Sequence, residues 1–437
     1  MVSKEKSAIR IIKTLKKHGH EAFLAGGCVR DRIRGVEPKD YDIATSAPSE
    51  EIQKLFKKTI PVGVQFGVIL VVEDGVAFEV ATFRTEGDYQ DGRRPGYVAF
   101  ASLEQDAKRR DFTVNGLYYD VEKKKIIDFV DGQRDISLKL IRTIGEPEKR
   151  FLEDHLRMMR AVRFAVQLGF EIDPAICPVI QKHAKLLSKV SQERLRDELV
   201  KTLTSPAPGR GIRLLDACGL LGEILPEVIA MKGVEQPIEY HPEGDVYTHT
   251  LMCLDGLSNA PAELAVGALL HDVGKPLTFV RAPDRIRFNN HDKVGAEMAK
   301  QICKRLAFPN SQTDLIYALV SEHLRFKDAM KMRESTLRRF LSMERIDLHM
   351  ELHRLDCLAS HANLDAYQFC AKKLGQIAAE PPKPVKLIGG TDLIALGFEP
   401  GPQFSKIMRA VEDAVLEDAI LSKEEALEFV KRNYLKK

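Results

Sequence analysis

The sequence predicts an α+β fold: a small mixed-sheet head followed by an all-α body. Three observations carry this reading. Strand-like runs separated by Gly and Asp turns crowd the first 145 residues, the apolar period turns helical from Glu148 onward, and Pro-rich breaks divide the helical part.

The 437 residues allow several domains and a sizeable core. Hydrophobic content of 44% with 30% charged residues is that of an ordinary globular protein. Lys and Arg number 66 against 63 Asp and Glu, and the formal charge of +3 is too small to identify a nucleic-acid partner. Local clusters such as Lys108-Arg109-Arg110 are more telling. The seven cysteines include no C-x-x-C pair, which favours reduced thiols over a disulfide framework. The charged start lacks an export-type apolar segment, and the longest apolar run, Val68 to Val72, is a strand length. A soluble, cytoplasmic protein with no membrane partner is expected.

Taken in order, apolar residues recur at helical spacing from Ile9 to Lys17, and the short strand "AFLAG" leads into a glycine pair. "SAPSEEIQKLF" carries helix-start chemistry. "FGVILVV", "VAFEVATF", "GLYYDV" and "KIIDFVD" read as strands. The helical part is interrupted by "TSPAPGRG" at 204–211, by "GVEQPIEYHPEGD" at 233–245 and by "AAEPPKPVK" before the tail. The expected domains are a catalytic head (1–147), a helical neck with a nucleobase- and RNA-binding role (148–232), a metal-binding all-α domain (233–375) and a C-terminal helical module (376–437) with a possible contact to the RNA.

Asp40 and Asp42, two apart on a strand, project to one side. Two hard oxygen ligands suit Mg²⁺ ions that complete their shells with phosphate oxygens and water. Gly26 and Gly27 precede a helix, where backbone amides face a phosphate, and Arg30 adds charge. Glu79 is a candidate third carboxylate. A lone D-x-D is more often a polar turn; the glycine element at this spacing reverses that preference.

"LAGGCVRD", "PKDYDIAT", "RRDFTVNGLYYD" and "RFLEDHLRMMRAVRFA" resemble, in order and spacing, the class II tRNA nucleotidyltransferase and bacterial poly(A) polymerase family. The resemblance covers about residues 20 to 200. It implies a nucleotidyltransferase head that extends an RNA 3′ end with two Mg²⁺ ions held by Asp40 and Asp42. Gly26, Gly27 and Arg30 then lie near the triphosphate, and Arg109, Arg110 and Asp111 at the nucleotide, with Asp111 reading the ribose hydroxyl. The E-D-x-x-R motif is implied to be the protein template for CTP and ATP. Asp154 accepts from the exocyclic amino group and Arg157 donates to the ring nitrogen, whereas guanine and uracil meet repulsion at both contacts. Leu152, Leu156 and Met159 would form the opposite face of one helix, with Glu153 orienting the arginine and Arg160 among the nucleotide contacts. Arg194 and Glu198 are expected supports. Members of that family adding only CC lack the loop region that "ATFRTEGDYQDGRRPGYVAF" resembles, so its presence, with Arg84, Arg93 and Arg94, implies an enzyme that is not CC-only. Full CCA addition to the tRNA acceptor end is the preferred reading, with A-only and poly(A) addition open.

In the second half, adjacent His271-Asp272 with His249, His291 and His323 in helical segments points to a transition-metal site. "LLHDVGKP" resembles the HD phosphohydrolase superfamily. That match implies His249, His271, Asp272 and Asp356 as core ligands, with His291 and His323 holding a second ion. The implied chemistry is attack of metal-activated water on a phosphoester. A rival of another class is an HD-type hydrolase whose head only binds nucleotide. No obligate protein partner is implied.

Overall fold

The computed structural model describes residues 3–63, 67–86, 98–237, 239, 241–242, 244–380 and 386–435. The chain divides into two compact units. One comprises Met1–Ala230, Leu254–Ala265 and Ile302–Pro309; the other comprises Met231–Cys253, Val266–Gln301 and Asn310–Lys437.

The first unit opens with helix α1 (Lys4–Lys17), whose fully buried Ala8, Ile11, Ile12 and Leu15 recur at helical spacing. The strands that follow are β1 (Ala22–Ala25), β2 (Asp42–Thr45), β3 (Thr59–Gly63), β4 (Val68–Glu73), β5 (Val76–Thr82), β6 (Arg84–Glu86), β7 (Val98–Phe100), β8 (Leu117–Asp120) and β9 (Lys125–Asp128). Seven form a sheet of order β3-β4-β5-β2-β1-β8-β9, with β6 and β7 in a separate ribbon. Among the described residues, the only parallel pairing in the sheet is β2 with β5. Arg93 and Arg94 lie outside the described residues, and Arg84 begins β6.

With α1, the helices α2 (Gly27–Ile33), α3 (Ser49–Leu55), α4 (Leu103–Arg109) and α5 (Gly132–Ser137) attend the sheet. Helix α4 starts at a capping box, with Ser102 Oγ accepting from the Gln105 amide and Gln105 Oε1 from the Ser102 amide. Its Ala107 packs with Phe23, Ala25, Ala44, Phe83 and Tyr118 in one cluster. That cluster lays the end of α4, and so the arginines after it, on the face of the sheet that carries Asp42.

A short parallel pair, β10 (Leu140–Ile141) with β11 (Glu171–Ile172), joins the head to the neck. The neck helices are α6 (Pro147–Glu153), α7 (Arg157–Leu168), α8 (Ile176–His183), α9 (Gln192–Leu203), α10 (Pro208–Ala217), α11 (Leu221–Ile224) and α12 (Pro226–Ile229). Two expectations are corrected here. The expected continuous helix through Asp154 is two helices, because Asp154 is extended (φ −138°, ψ 107°) and its Oδ1 accepts from the Leu156 amide at 3.2 Å. Leu152 is accordingly exposed while Leu156 and Met159 are buried, so the three share no face. The thiols are also not all reduced: Cys177 and Cys218 form a disulfide, their Cα atoms 5.2 Å apart where the start of α8 meets the end of α10.

The second, helical unit takes in α13 (Val246–Asp255), α14 (Ala262–Leu270), α15 (Lys275–Thr278), the hairpin β12 (Phe279–Arg281) and β13 (Ile286–Phe288), α16 (His291–Arg305) and α17 (Asn310–Glu322), except that residues 254–255, 262–265 and 302–305 fall in the first unit. After a 3-10 stretch, His323–Lys331, come α18 (Glu334–Leu341), α19 (Ile346–Ala359) and α20 (Asp365–Ala379). The tail folds as α21 (Gly390–Ala395), α22 (Pro402–Leu416) and α23 (Lys423–Tyr434) around a cluster of Ile388, Leu393, Ile407, Val411 and Val430.

Candidate functional site

Parallel register sets the head cleft. Ile43 pairs with Val80, and both are buried. Side chains alternate along each strand, so Asp42 and Glu79, one residue earlier, lie side by side on the opposite face. Asp40 precedes β2 and is largely exposed, its Oδ1 3.6 Å from Lys4 Nζ. Asp42 keeps access to solvent, yet desolvation by the surrounding protein and the charge of Glu79 push its carboxyl up to about 6, against the pull of Arg110. These carboxylates have more negative charge than the neighbouring cations neutralise, a donor set that fits hard divalent cations.

The cationic side of the cleft is held rigidly. Asp106, on the buried face of α4, accepts from Arg109 Nε at 2.8 Å, pairs with Arg110 Nη2 at 3.3 Å and accepts from Tyr118 Oη at 2.6 Å. Burial alone would raise the Asp106 carboxyl, but Arg109, Arg110 and Tyr118 hold it below its ordinary value. Arg110 Nη1 would lie 3.0 Å from a Cβ on Gly26, whose φ is +69°, so glycine is needed there for both space and conformation. Arg30 spans from Asp31 to Asn115, donating Nη1 to Asn115 Oδ1 at 2.7 Å. Gly27 begins α2 beside it, 3.6 Å from Arg30 Nη2 if given a Cβ.

In the neck the carboxylates and arginines interlock. Asp154 pairs with Arg194 Nη2 at 2.9 Å, and Arg157 pairs with Glu153 Oε2 at 2.6 Å. Asp154 and Arg157 are thus aimed by different partners. Arg150 also pairs with Glu153 and donates Nη2 to the carbonyls of Arg109 and Arg110, tying α6 to the end of α4. Asp111 accepts from Arg160 Nε at 2.9 Å, from Asn115 Nδ2 and from the Phe112 amide. Burial opposes its charge, but Arg160 and these donors hold its carboxyl well below the usual range. Glu198 is buried against Arg163 Nε at 2.5 Å, and Arg160 Nη1 lies 3.7 Å from it.

In the helical unit, His249, His271, Asp272, His291 and His323 are buried around one point. His249 Nε2 lies 3.0 Å from Asp356 Oδ1, and His271 Nε2 lies 3.2 Å from Asp272 Oδ2. Asp272 Oδ1 faces His291 Nε2 at 3.4 Å and His323 Nε2 at 3.8 Å. The Nδ1 atoms of His271, His291 and His323 each sit against a backbone carbonyl, Ala268, Phe288 and Val320, which turns every Nε2 inward. His291 Nε2 is buried and, beyond the 3.4 Å approach of Asp272 Oδ1, has no hydrogen-bond partner among the described residues. A bound cation satisfies such an atom, so the residues fit a metal. Burial and the charge of His271 push His323 down to about 4, keeping its ring neutral and able to ligate. Lys275, His271 and His291 hold Asp272 ionised despite its burial. A cavity of about 520 Å³ opens onto Asp272, His291, His323 and Asp356, with Lys275 and Phe288 in its wall.

Family models described as a poly A polymerase head domain, a probable RNA and SrmB-binding site of polymerase A, and an HD domain match residues 22–142, 169–232 and 245–359. The chain is 34% identical over 433 residues to the CCA-adding enzyme of Lactobacillus johnsonii, an alignment spanning 98% of this chain and 97% of that one. It belongs to the CCA-adding enzyme family. Against other curated relatives it spans about half their length: for the CCA-adding enzyme of a Geobacillus species, identity is 48% over 214 residues, 53% of that relative. The crystal structure of the Bacillus stearothermophilus CCA-adding enzyme in complex with CTP matches with a TM-score of 0.77 and 29% identity, over 100% of this chain and 99% of that one. The mixed-sheet head and helical body expected from sequence are therefore the fold of this family. The nucleotidyltransferase and HD domains are metal-dependent, and groups able to hold an ion are present. Among the described residues, no helix is long and apolar enough to cross a membrane.

Sequence reasoning about this CCA-adding family member missed Asp106, Asn115 and Tyr118, which fix the arginines, and Arg150, which links neck to head. Asp106 was visible as an i, i+4 partner of Arg110. Asn115 and Arg150 likewise stand four and three positions from Asp111 and Glu153, but the contacts of Asn115 with Arg30 and of Arg150 with the Arg109 and Arg110 carbonyls, and the place of Tyr118 beside Asp106, come from the fold.

Proposed function

We propose that the chain adds CMP, CMP and AMP, from CTP and ATP, to the 3′ end of tRNA. The observation that carries this is Asp42 and Glu79 side by side on one sheet face, with Asp40 beside them and Arg110 opposite. The RNA 3′ oxygen attacks the α-phosphorus and pyrophosphate leaves. Asp40 and Asp42 would hold two Mg²⁺ ions, which would supply acidification of that hydroxyl and neutralisation of the leaving group. Gly26, Gly27, Arg30, Arg109 and Arg110 receive the triphosphate, Asp111 the ribose, and Asp154 and Arg157 the base edge, with Glu153 and Arg194 fixing their directions. Arg160 and Glu198 brace Asp111.

The test is incorporation on tRNA ending at the discriminator base. CTP alone should yield two added residues, both nucleotides should yield CCA, and ATP alone should yield nothing. Incorporation confined to CC-ended tRNA and ATP would establish A-only addition, and a long ladder with ATP would establish poly(A) addition.

The converging Nε2 atoms favour a second activity in the helical unit, hydrolysis of a phosphomonoester or cyclic phosphate with a divalent transition ion at His249, His271, Asp272 and Asp356 and a second at His291 and His323. Lys275, 2.7 Å from Asp272 Oδ2 and 2.6 Å from Gln236 Oε1, holds that carboxylate in place.

A further inference from the structure

Cys253 is not one of the histidines and aspartates named above, yet it lies among them. It follows His249 by one helical turn, so both project from one face of α13. Its side chain is fully buried, and the ligand atoms of Cys253, His249 and His271 lie within 4.8 Å of one another. Cys253 Sγ is 3.7 Å from His249 Nε2, and the Nε2 atoms of His249 and His271 are 3.3 Å apart. Around a tetrahedral ion with bonds of about 2.05 Å to nitrogen and about 2.3 Å to sulfur, ligand atoms sit about 3.3 Å (N to N) and about 3.6 Å (N to S) apart. The His249–His271 and His249–Cys253 separations match that spacing. Asp356 Oδ1, 3.0 Å from His249 Nε2, and Asp272 Oδ2, 3.2 Å from His271 Nε2, offer the remaining positions. Asp272 separates this subsite from the other one, with Oδ2 toward His271 and Oδ1 toward His291 and His323.

We propose that Cys253 is a metal ligand of this centre, and that its thiolate makes the His249–His271 subsite one for a thiophilic ion such as zinc or cobalt instead of magnesium or manganese. The inference rests on the metal-centre reading given above. Soft thiolate selects against hard cations, and uptake of the ion displaces the thiol proton to solvent. Cys370, another buried free cysteine, packs instead in an apolar cluster with Phe326, Leu337 and Phe340, and is the natural control.

The experiment is titration of the metal-free, full-length protein with Co²⁺ and Zn²⁺. Wild type and Cys370→Ser should develop a thiolate-to-cobalt charge-transfer band in the near ultraviolet, and Cys253→Ser should take up cobalt without it. Zinc affinity of Cys253→Ser should fall at least about tenfold with manganese affinity unchanged. Should that variant not fold, X-ray absorption at the zinc edge of the wild type decides, with one sulfur scatterer at about 2.3 Å expected. Cobalt uptake by the wild type without the band, or a zinc shell of nitrogen and oxygen alone, overturns the role of Cys253 and leaves the metal centre standing. A wild type that takes up no transition ion overturns both.

Discussion

Asp111 shows how one carboxylate is committed by its neighbours. Oδ2 serves Arg160, and Oδ1 serves Asn115 and the Phe112 amide, so any ribose contact shares an oxygen with one of them. The motif "RRDFTVN" marked the residue, but its pairing with Arg160, 49 positions away, had no local sign. Removing the charge in Asp111→Asn should lower stability by about 2 kcal/mol at pH 7, a figure held down because Arg160 is partly exposed and keeps Glu198 nearby. The folded carboxyl titrates below its unfolded value, so this contribution is full above pH of about 4 and fades as pH falls further. Urea midpoints of wild type and variant should therefore differ at pH 7 and converge in acid. A gap that stays constant to the acid limit would contradict the ion-pair account. The D-x-D spacing put Asp40 and Asp42 on one strand, but β2 begins at Asp42 and Asp40 lies before it, and Cys253 had no sign at all, since a lone thiol in "THTLMCLD" has no code.

At the scale of elements, most helices and strands were readable because burial imposes its period on the sequence. The break at Asp154 was not. Leu152, Leu156 and Met159 satisfy helical spacing, yet Asp154 is extended, with its carboxylate accepting from the Leu156 amide and pairing with Arg194. Close approach of elements is a second thing the period does not report. A Cβ on Gly274 would lie 2.3 Å from the His291 carbonyl and 2.6 Å from the Gly295 amide, backbone atoms of α16. Gly274→Ala should therefore displace the start of α16, cost about 1–3 kcal/mol and weaken zinc binding, since His291 begins that helix. Thermal unfolding with and without zinc checks this; an unchanged Tm and affinity would mean the two segments are not so closely packed. The Cys177–Cys218 link likewise joins elements 41 residues apart in sequence, which no motif announces. Loop-closure entropy for that span is about 4 kcal/mol at most, so reduction should lower the urea midpoint in wild type and leave Cys177→Ser unaffected. Equal midpoints for the oxidised and reduced wild type would remove the disulfide from the account.

Across the whole molecule, the two sets of chemical groups belong to different units of the chain, Asp40 and Asp42 in one and the histidines in the other. The order of motifs made this division legible. The composition did not, because a net charge of +3 averages basic and acidic surfaces away. Asp42→Asn should abolish nucleotide addition, by on the order of 100-fold or more, and leave metal-dependent hydrolysis of a 2′,3′-cyclic nucleotide intact; His271→Ala should do the reverse. A single variant that silences both activities would argue that the units do not act separately. The central claim is that the carboxylates at 40 and 42 hold divalent ions against an incoming triphosphate. Anomalous diffraction from a crystal grown with CTP and Mn²⁺ addresses it directly. The expected map has manganese bound by Asp40 and Asp42 and by phosphate oxygens of the nucleotide. Clear density for CTP elsewhere, with no manganese at these side chains, would contradict it.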